Sequence, residues 1–225
     1  MSTPIIDCIS VCKYFTGKNQ ITKAVDNVNL QINMNEFVLI KGRSGAGKST
    51  LLNLMCGLDK PTKGSISIEN EAIEKFSNQA LSRLLSKRIG IIFQNFNLLP
   101  TYTVYENIEI ALDPIPGKRE DTKEIILPIL KQLGLTDKVN CLPPELSIGQ
   151  QQKVAIARTL AKKPSIIFAD EPTGSVDDET AIEIIQHLIL LKKEHNLTLV
   201  MASHGGTLDK YADRVVLMQN GKINS

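Results

Sequence analysis

Residues 42 to 50 read Gly-Arg-Ser-Gly-Ala-Gly-Lys-Ser-Thr, which is G-x-x-x-x-G-K-S with a hydroxyl residue to spare. Glycines at this spacing let the backbone curl so that successive N–H groups converge on phosphate oxygens. A helix that opens at Lys48 adds the positive end of its dipole at the same place. Lys48 can reach the outer phosphates and the Ser49 hydroxyl can ligate Mg²⁺. The expected ligand is a nucleoside triphosphate, gripped by Gly42, Arg43, Ser44, Gly45, Ala46, Gly47, Lys48, Ser49 and Thr50. A second constellation is Asp170-Glu171. Asp170 suits a metal-bound water, and Glu171, one residue further out, suits a general base that takes a proton from water in line with the terminal phosphate.

These groups need particular elements to hold them. Phe37-Val-Leu-Ile40 is an apolar run feeding the glycine loop, and Leu51, Leu52, Leu54 and Met55 leave it at helical spacing. Ile89–Phe93 and Ser165–Ala169 are continuous apolar runs, as in strands buried on both faces. A carboxylate closing such a strand sits at the crevice where α/β sheets bind ligands. Near the N-terminus, Ile5–Val11 reads as a strand. From Ala24 to Ile32 the chain alternates, with Val28, Leu30 and Ile32 opposite Asn27, Asn29 and Gln31, as in a half-buried antiparallel strand. Gly17-Lys-Asn19, Leu58–Gly64 and Asn220-Gly221 are turns, the last within a hairpin.

Ser77–Ser86, ahead of the first buried strand, reads as a capped helix. From Thr103 to Pro164 the character changes. Thr103-Val-Tyr-Glu106 has capping-box spacing before a helix through Leu112. Asp113–Lys118 is a break. A helix from about Asp121 contains Pro128, which should kink it, and stops at Gly134. Another runs from about Gly149 to Ala161, with Ser147 as its N-cap candidate. A final amphipathic helix covers Glu179–Glu194. The expected fold class is α/β: a P-loop NTPase core over residues 1–93 and 165–225, with an N-terminal antiparallel β part and an inserted α-helical part over 94–164, all in one domain.

Composition narrows the partners. The chain has 225 residues, a net charge of +2 and no Trp, so no strong field or stacking surface marks a nucleic-acid partner. Cys8, Cys12, Cys56 and Cys141 lack zinc spacing and are expected as reduced thiols. No signal-peptide pattern opens the chain and no run reaches the roughly 18 to 20 apolar residues that span a bilayer, so any membrane span is expected from another chain. No regulatory or membrane domain is expected after the core.

Taken together, the motifs resemble the ATP-binding cassette ATPases, the nucleotide-binding subunits of ABC transporters, nearly end to end. The resemblance implies an ATPase that binds ATP and Mg²⁺. Phe15 takes the place of the aromatic that stacks on adenine, with Tyr14 as an adjacent competitor. Gln94 matches the loop glutamine that touches Mg²⁺ and senses the γ-phosphate. Leu146-Ser-Ile-Gly-Gln150 matches the signature, so that Ser147, Gly149 and Gln150 would close on ATP held by the other subunit. Ser175-Val-Asp177 matches the loop that crosses the dimer interface, and His204 matches the histidine on the γ-phosphate. With Lys48, Gln94 and Glu171, His204 completes the implied catalytic set; Ser49, Gln94 and Asp170 form the metal set.

Two departures stand out. Ile148 replaces the first signature glycine, and Gly205-Gly206 follows His204 where the family usually has Asp. The strings Gln94–Pro100, Glu106-Asn-Ile108, Gln150-Gln-Gln152 and Ala169–Gly174 look like the lipoprotein-release and macrolide-export group. That implies a head-to-tail homodimer, a separate four-span permease, room for an extracytoplasmic adaptor, and a cytoplasmic protein peripheral on the inner face of the cell membrane. Cell-division ATPases of similar build, which regulate wall hydrolysis, and a slow-cycling regulatory cassette are the alternatives.

Overall fold

The computed structural model describes residues 4–17, 20–112, 122–206 and 208–224. The expected break at Asp113–Lys118, the start of the helix at Asp121, and Lys18 and Asn19 of the first turn lie outside the described residues.

Two sheets and a helical stretch make the fold. The first sheet is antiparallel: β1 (Ile6–Thr16), β2 (Ile21–Ile32), β4 (Lys63–Ile68) and β5 (Glu71–Ala72) lie in the order β2-β1-β4-β5. On β2, Val28, Leu30 and Ile32 are buried and Asn27, Asn29 and Gln31 exposed, as the alternation requires. The strand starts at Ile21, three residues before the expected Ala24, because its exposed first turn pairs with the end of β1 (Thr16 with Ile21) and needs no apolar alternation to do so.

The second sheet holds β3 (Phe37–Lys41), β6 (Ile89–Ile92), β7 (Ile166–Asp170), β8 (Thr198–Ser203), β9 (Arg214–Gln219) and β10 (Lys222–Asn224) in the order β10-β9-β3-β8-β7-β6. It is parallel except for the β9–β10 hairpin, whose Asn220-Gly221 turn has both residues at positive φ. The central strands divide their side chains between two cores. Val38, Ile40, Phe168, Val200 and Ala202 pack with the antiparallel sheet and α1 (Lys48–Met55). Phe37, Leu39, Ile167, Ala169, Leu199 and Met201 pack on the opposite side. Both faces are covered, hence the near-continuous apolar sequence of these strands.

Helices occupy the rest: α2 (Asn78–Lys87), α3 (Val104–Glu109), α4 (Thr122–Gln132), α5 (Ile148–Ala161) and α6 (Asp178–His195). Among the described residues between β6 and β7 there is no strand. Ser77 caps α2, and Thr103 and Glu106 make both bonds of a capping box on α3. That helix ends at Glu109, short of Leu112, in single turns (Ala111 N–H to Ile108 O, Leu112 N–H to Glu109 O). Past α4, Gly134 has φ 70° and the Leu135 N–H reaches the Leu130 carbonyl at 2.8 Å, a left-handed stop of the kind a glycine permits. α5 begins at Ile148 rather than Gly149, since Ser147 is its cap. It packs on α3, α4 and β6, and Arg158 donates to the carbonyls of Phe96 and Asn97, both at 2.6 Å. The helical stretch thus shares the second core with α6 and the sheet.

Candidate active site

The loop between β3 and α1 is wedged against two backbones. A Cβ on Gly42 would lie 2.2 Å from the Met218 carbonyl oxygen, and one on Gly47 would lie 2.0 Å from that of Ala24. Gly47 also has φ 104°, a conformation that side chains rarely adopt. Glycine is required at both positions by neighbours far away in sequence. Gly47 is the N-cap of α1, so this helix has no side-chain cap and no acidic residue in its first turn. Its first N–H groups have no helical acceptor, and its first turn lines a cavity of about 620 Å³ that also includes Ser44, Gln94, Glu171 and His204.

Three charged or titratable side chains converge there. Lys48, only 6 % exposed, donates from Nζ to the carbonyls of Gly42 (2.9 Å) and Arg43 (3.3 Å) and lies 3.3 Å from Glu171 Oε1. The other oxygen, Glu171 Oε2, is 2.7 Å from His204 Nδ1. Glu171 has φ 45°, unusual for a side-chain-bearing residue, and is held there by its N–H on Ala202 O and its carbonyl under the Gly174 N–H, both 3.0 Å. Backbone strain of this kind collects at functional residues. At the foot of the loop, the Ser49 hydroxyl donates to Asp170 Oδ1 at 2.9 Å. Burial raises the Asp170 carboxyl pKa above its usual value and the nearby Glu171 charge adds to this, against the pull of the Ser49 bond and Lys48. A hydroxyl and a carboxylate side by side are the hard oxygen donors that suit Mg²⁺. Among the described residues no group of three or more His, Cys, Asp or Glu could hold a metal by itself.

The sequence-derived residues do not all meet. Ser44, Gly45, Ala46, Gly47, Lys48, Ser49, Thr50, Gln94, Glu171 and His204 line the cavity. Gly42 and Arg43 do not; they aim Lys48 with their carbonyls. Phe15 stands outside the lining at 47 % exposure, paired across β1–β2 with Thr22, which does line it. Tyr14 is tied down by its hydroxyl on Asp26 Oδ1 (2.6 Å), a bond that also raises its pKa, so Phe15 is the freer ring. Ser147, Gly149 and Gln150 sit apart at the start of α5. There Ser147 Oγ accepts from the Gln150 N–H (3.2 Å) while Gln150 Oε1 accepts from the Ser147 N–H (2.9 Å). A Cβ on Gly149 would meet Thr180 Cγ2 of α6 at 2.7 Å. Asp177 caps α6 through Thr180, and Ser175 is exposed just before it.

Sequence reasoning missed Thr22, Lys23, Ala24 and Asn220, which complete one wall of the cavity. They lie on β2 and the β9–β10 turn. The turn was legible, but nothing in it told that the Gly221 N–H would bond the Ala46 carbonyl at 2.9 Å.

The four cysteines are free thiols. Burial pushes Cys8 up to about 12 and Cys56 up to about 11, so both stay protonated and inert. Among the described residues no helix is long and apolar enough to cross a membrane.

Comparison with known proteins identifies the family. The ABC transporter family matches residues 25–174. The ABC transporter ATP-binding protein MJ0796 of Methanocaldococcus jannaschii is 39 % identical over 220 residues, covering 95 % of this chain and 93 % of its own. The methionine import ATP-binding protein MetN 2 of Bacillus cereus is 41 % identical over 215 residues, covering 95 % of this chain and 63 % of its own. A solved dimeric structure of the MJ0796 cassette in a post-hydrolysis state with ADP and Pi superposes with a TM-score of 0.90 at 37 % identity, covering 98 % of this chain and 97 % of that one. With a family match over two thirds of its length and relatives of this identity and coverage, the chain belongs to the ABC transporter family, as one of its ATP-binding, ATP-hydrolysing cassettes.

Proposed function

We propose that two copies of this chain sandwich two ATP·Mg²⁺ head to tail and drive a separate membrane permease of the lipoprotein-release and macrolide-export type. The observation that carries the reading is the placement of Glu171, bonded on one oxygen by Lys48 and on the other by His204, at the wall of the phosphate-loop cavity. When a phosphate oxygen takes up the Lys48 ammonium, Glu171 is released from it and can accept a proton from water. His204 keeps the carboxylate oriented and offers its outer nitrogen to the γ-phosphate. Mg²⁺, when bound, neutralises phosphate charge; Ser49, Asp170 and Gln94 would hold it. Phe15, beside the cavity mouth, stacks on the adenine.

The signature residues of one copy close on the ATP of the other, a reading supported by their absence from the lining of their own cavity and by the dimer described for MJ0796. Residues 94–164 then act as the moving part. Arg158 on the signature helix holds the carbonyls just after Gln94, so displacement at the nucleotide reaches α5 through one short linkage. An adjoining groove lined by Leu81, Leu85, Ala111 and Lys162 offers the permease its docking surface. The protein then works at the inner face of the membrane.

General-base help is worth roughly 10²–10⁴-fold. Glu171→Gln should therefore retain ATP binding, accumulate as ATP-bound dimers on sizing columns and lose turnover by at least about 100-fold. Turnover within a few-fold of wild type would remove Glu171 from the chemistry. A slow-cycling cassette is the second reading, favoured by Ile148, which stands 51 % exposed in the signature.

A further inference from the structure

The segment carrying His204 is followed by two glycines, and no conformational demand explains either. Neither Gly205 nor Gly206 has positive φ. A Cβ on Gly205 would come no nearer than 4.0 Å to Ser203 Oγ, and one on Gly206 no nearer than 3.5 Å to Lys41 Nζ. Side chains would fit, so what the glycines add is freedom: a Gly-Gly pair has more backbone states to lose than any other. A side chain that must meet Glu171 at hydrogen-bond distance needs that freedom removed.

The structure contains a device that removes it. Lys41 Nζ and Asp209 Oδ2 are 2.6 Å apart, with the side chains 26 % and 41 % exposed. Lys41 is the last residue of β3, one step before the phosphate loop, and lies in register with Ser203 of β8. Asp209 opens a single helical turn five residues after His204, and its N–H donates to the Gly206 carbonyl at 3.3 Å. Gly205 is tied back by its N–H on Ser203 Oγ, also 3.3 Å. The second carboxylate oxygen, Asp209 Oδ1, is buried and has no hydrogen-bond partner. Lys41 is therefore the cation that makes this half-buried carboxylate tolerable, and without it the turn has reason to move out toward water.

We infer that the Lys41–Asp209 ion pair is a positioning clamp for His204, locking the Gly205-Gly206 segment to the strand that enters the phosphate loop. The inference rests on the role proposed above for His204. The clamp is remote from the reacting atoms; it acts by fixing where the imidazole meets Glu171. It also ties the phosphate loop to the His204 segment, since Lys41 ends β3 and Asp209 lies in the turn that follows the neighbouring β8.

The test separates the clamp from the chemistry. The chain has three histidines, His187, His195 and His204, so imidazole NMR signals of the labelled full-length protein can be assigned with one His204→Gln variant. Lys41→Met keeps the length of the side chain and removes the charge; Asp209→Asn keeps its shape. In each folded variant we expect the His204 signals to move toward those of free imidazole while His187 and His195 stay put. ATP turnover should fall about tenfold with KM for ATP changed by less than about twofold, as for a misplaced rather than a missing group. The swapped pair Lys41→Asp with Asp209→Lys should restore both readouts. If Lys41→Met does not fold, Asp209→Asn is read in the same way. An unmoved His204 signal in either folded variant overturns the clamp. A displaced signal with unchanged turnover upholds the clamp and instead removes His204 from the reaction.

Discussion

The two helices whose N-termini are proposed to meet phosphate are built in opposite ways. α1 starts on Gly47, which has no side chain to offer, and its first turn has no acidic residue. α5 starts on Ser147 and closes a full capping box with Gln150. One end leaves its orphan N–H groups to a ligand; the other satisfies two of them internally. The difference suits the two roles proposed for them, a primary anion grip at α1 and a second, weaker one at α5. At α1 the loop is pinned by the Ala24 and Met218 backbones of the same chain. At α5 the Ser147 oxygen is occupied by the Gln150 N–H, but its own proton remains to be donated outward. That fits a site asked only to close on a phosphate already held elsewhere.

The largest effect should come from filling the uncapped end. Gly47→Ala puts a methyl group 2.0 Å from the Ala24 carbonyl oxygen at φ 104°, so β2 or the loop must move. Strain of about 1–3 kcal/mol for the dihedral alone, with the displacement added, should lower ATP affinity at least about 100-fold while far-UV circular dichroism stays native. Affinity within about threefold in a fluorescent-nucleotide titration would mean that α1 is not where the phosphates bind.

At α5 the informative change is Ser147→Asp. Aspartate caps a helix about as well as serine, so the melting temperature should stay within about 2 °C. It cannot donate a proton to phosphate and brings a negative charge to it. Turnover should fall by about tenfold or more with ATP affinity of the single subunit unchanged. Ser147→Ala, by contrast, should lose turnover and also about 0.5–2 kcal/mol of stability. If the aspartate variant turns over normally, Ser147 is only a cap.

Much of this was legible in the sequence because it is local. The glycine loop, the Thr103 and Ser147 caps, the Asn220-Gly221 turn and the alternation on β2 are each set within a few residues. Element ends were off by one to five residues where a cap or an exposed pairing decided them, as at Ile148, at Ile21 and at Thr16, where β1 runs five residues past the expected Val11. What the sequence withheld is what long-range packing decides. Nothing near Gly42 announces the Met218 carbonyl, and nothing near Glu171 announces positive φ. Tyr14 and Phe15 are equivalent candidates as letters; the Asp26 carboxylate, twelve residues on, separates them. The merging of the helical stretch with α6 in one core was equally hidden, since each helix alone shows only that it has an apolar side.

The smallest predicted effect concerns Ile148, at the first position of α5. Ile148 is the first residue of the helix and is 51 % exposed, so it contributes little to the second core. Replacing it with glycine costs at most about 1 kcal/mol of helix propensity, a fall in melting temperature of about 2–4 °C. The branched side chain stands beside Gly149, on the end of the helix that is proposed to close over a phosphate. Its removal lets that end approach more closely. Ile148→Gly should therefore raise turnover by about two- to fivefold, the range of a helix-terminus contact worth a few tenths of a kcal/mol to about 1 kcal/mol. ATP affinity of the single subunit should not change, because α1 and its loop share no contact with this residue in the cavity lining. A fall in turnover would show that Ile148 itself packs in the closed state. The slow-cycling reading would then lose its motive, and the contrast between the two helix ends would extend to the side chains that flank them.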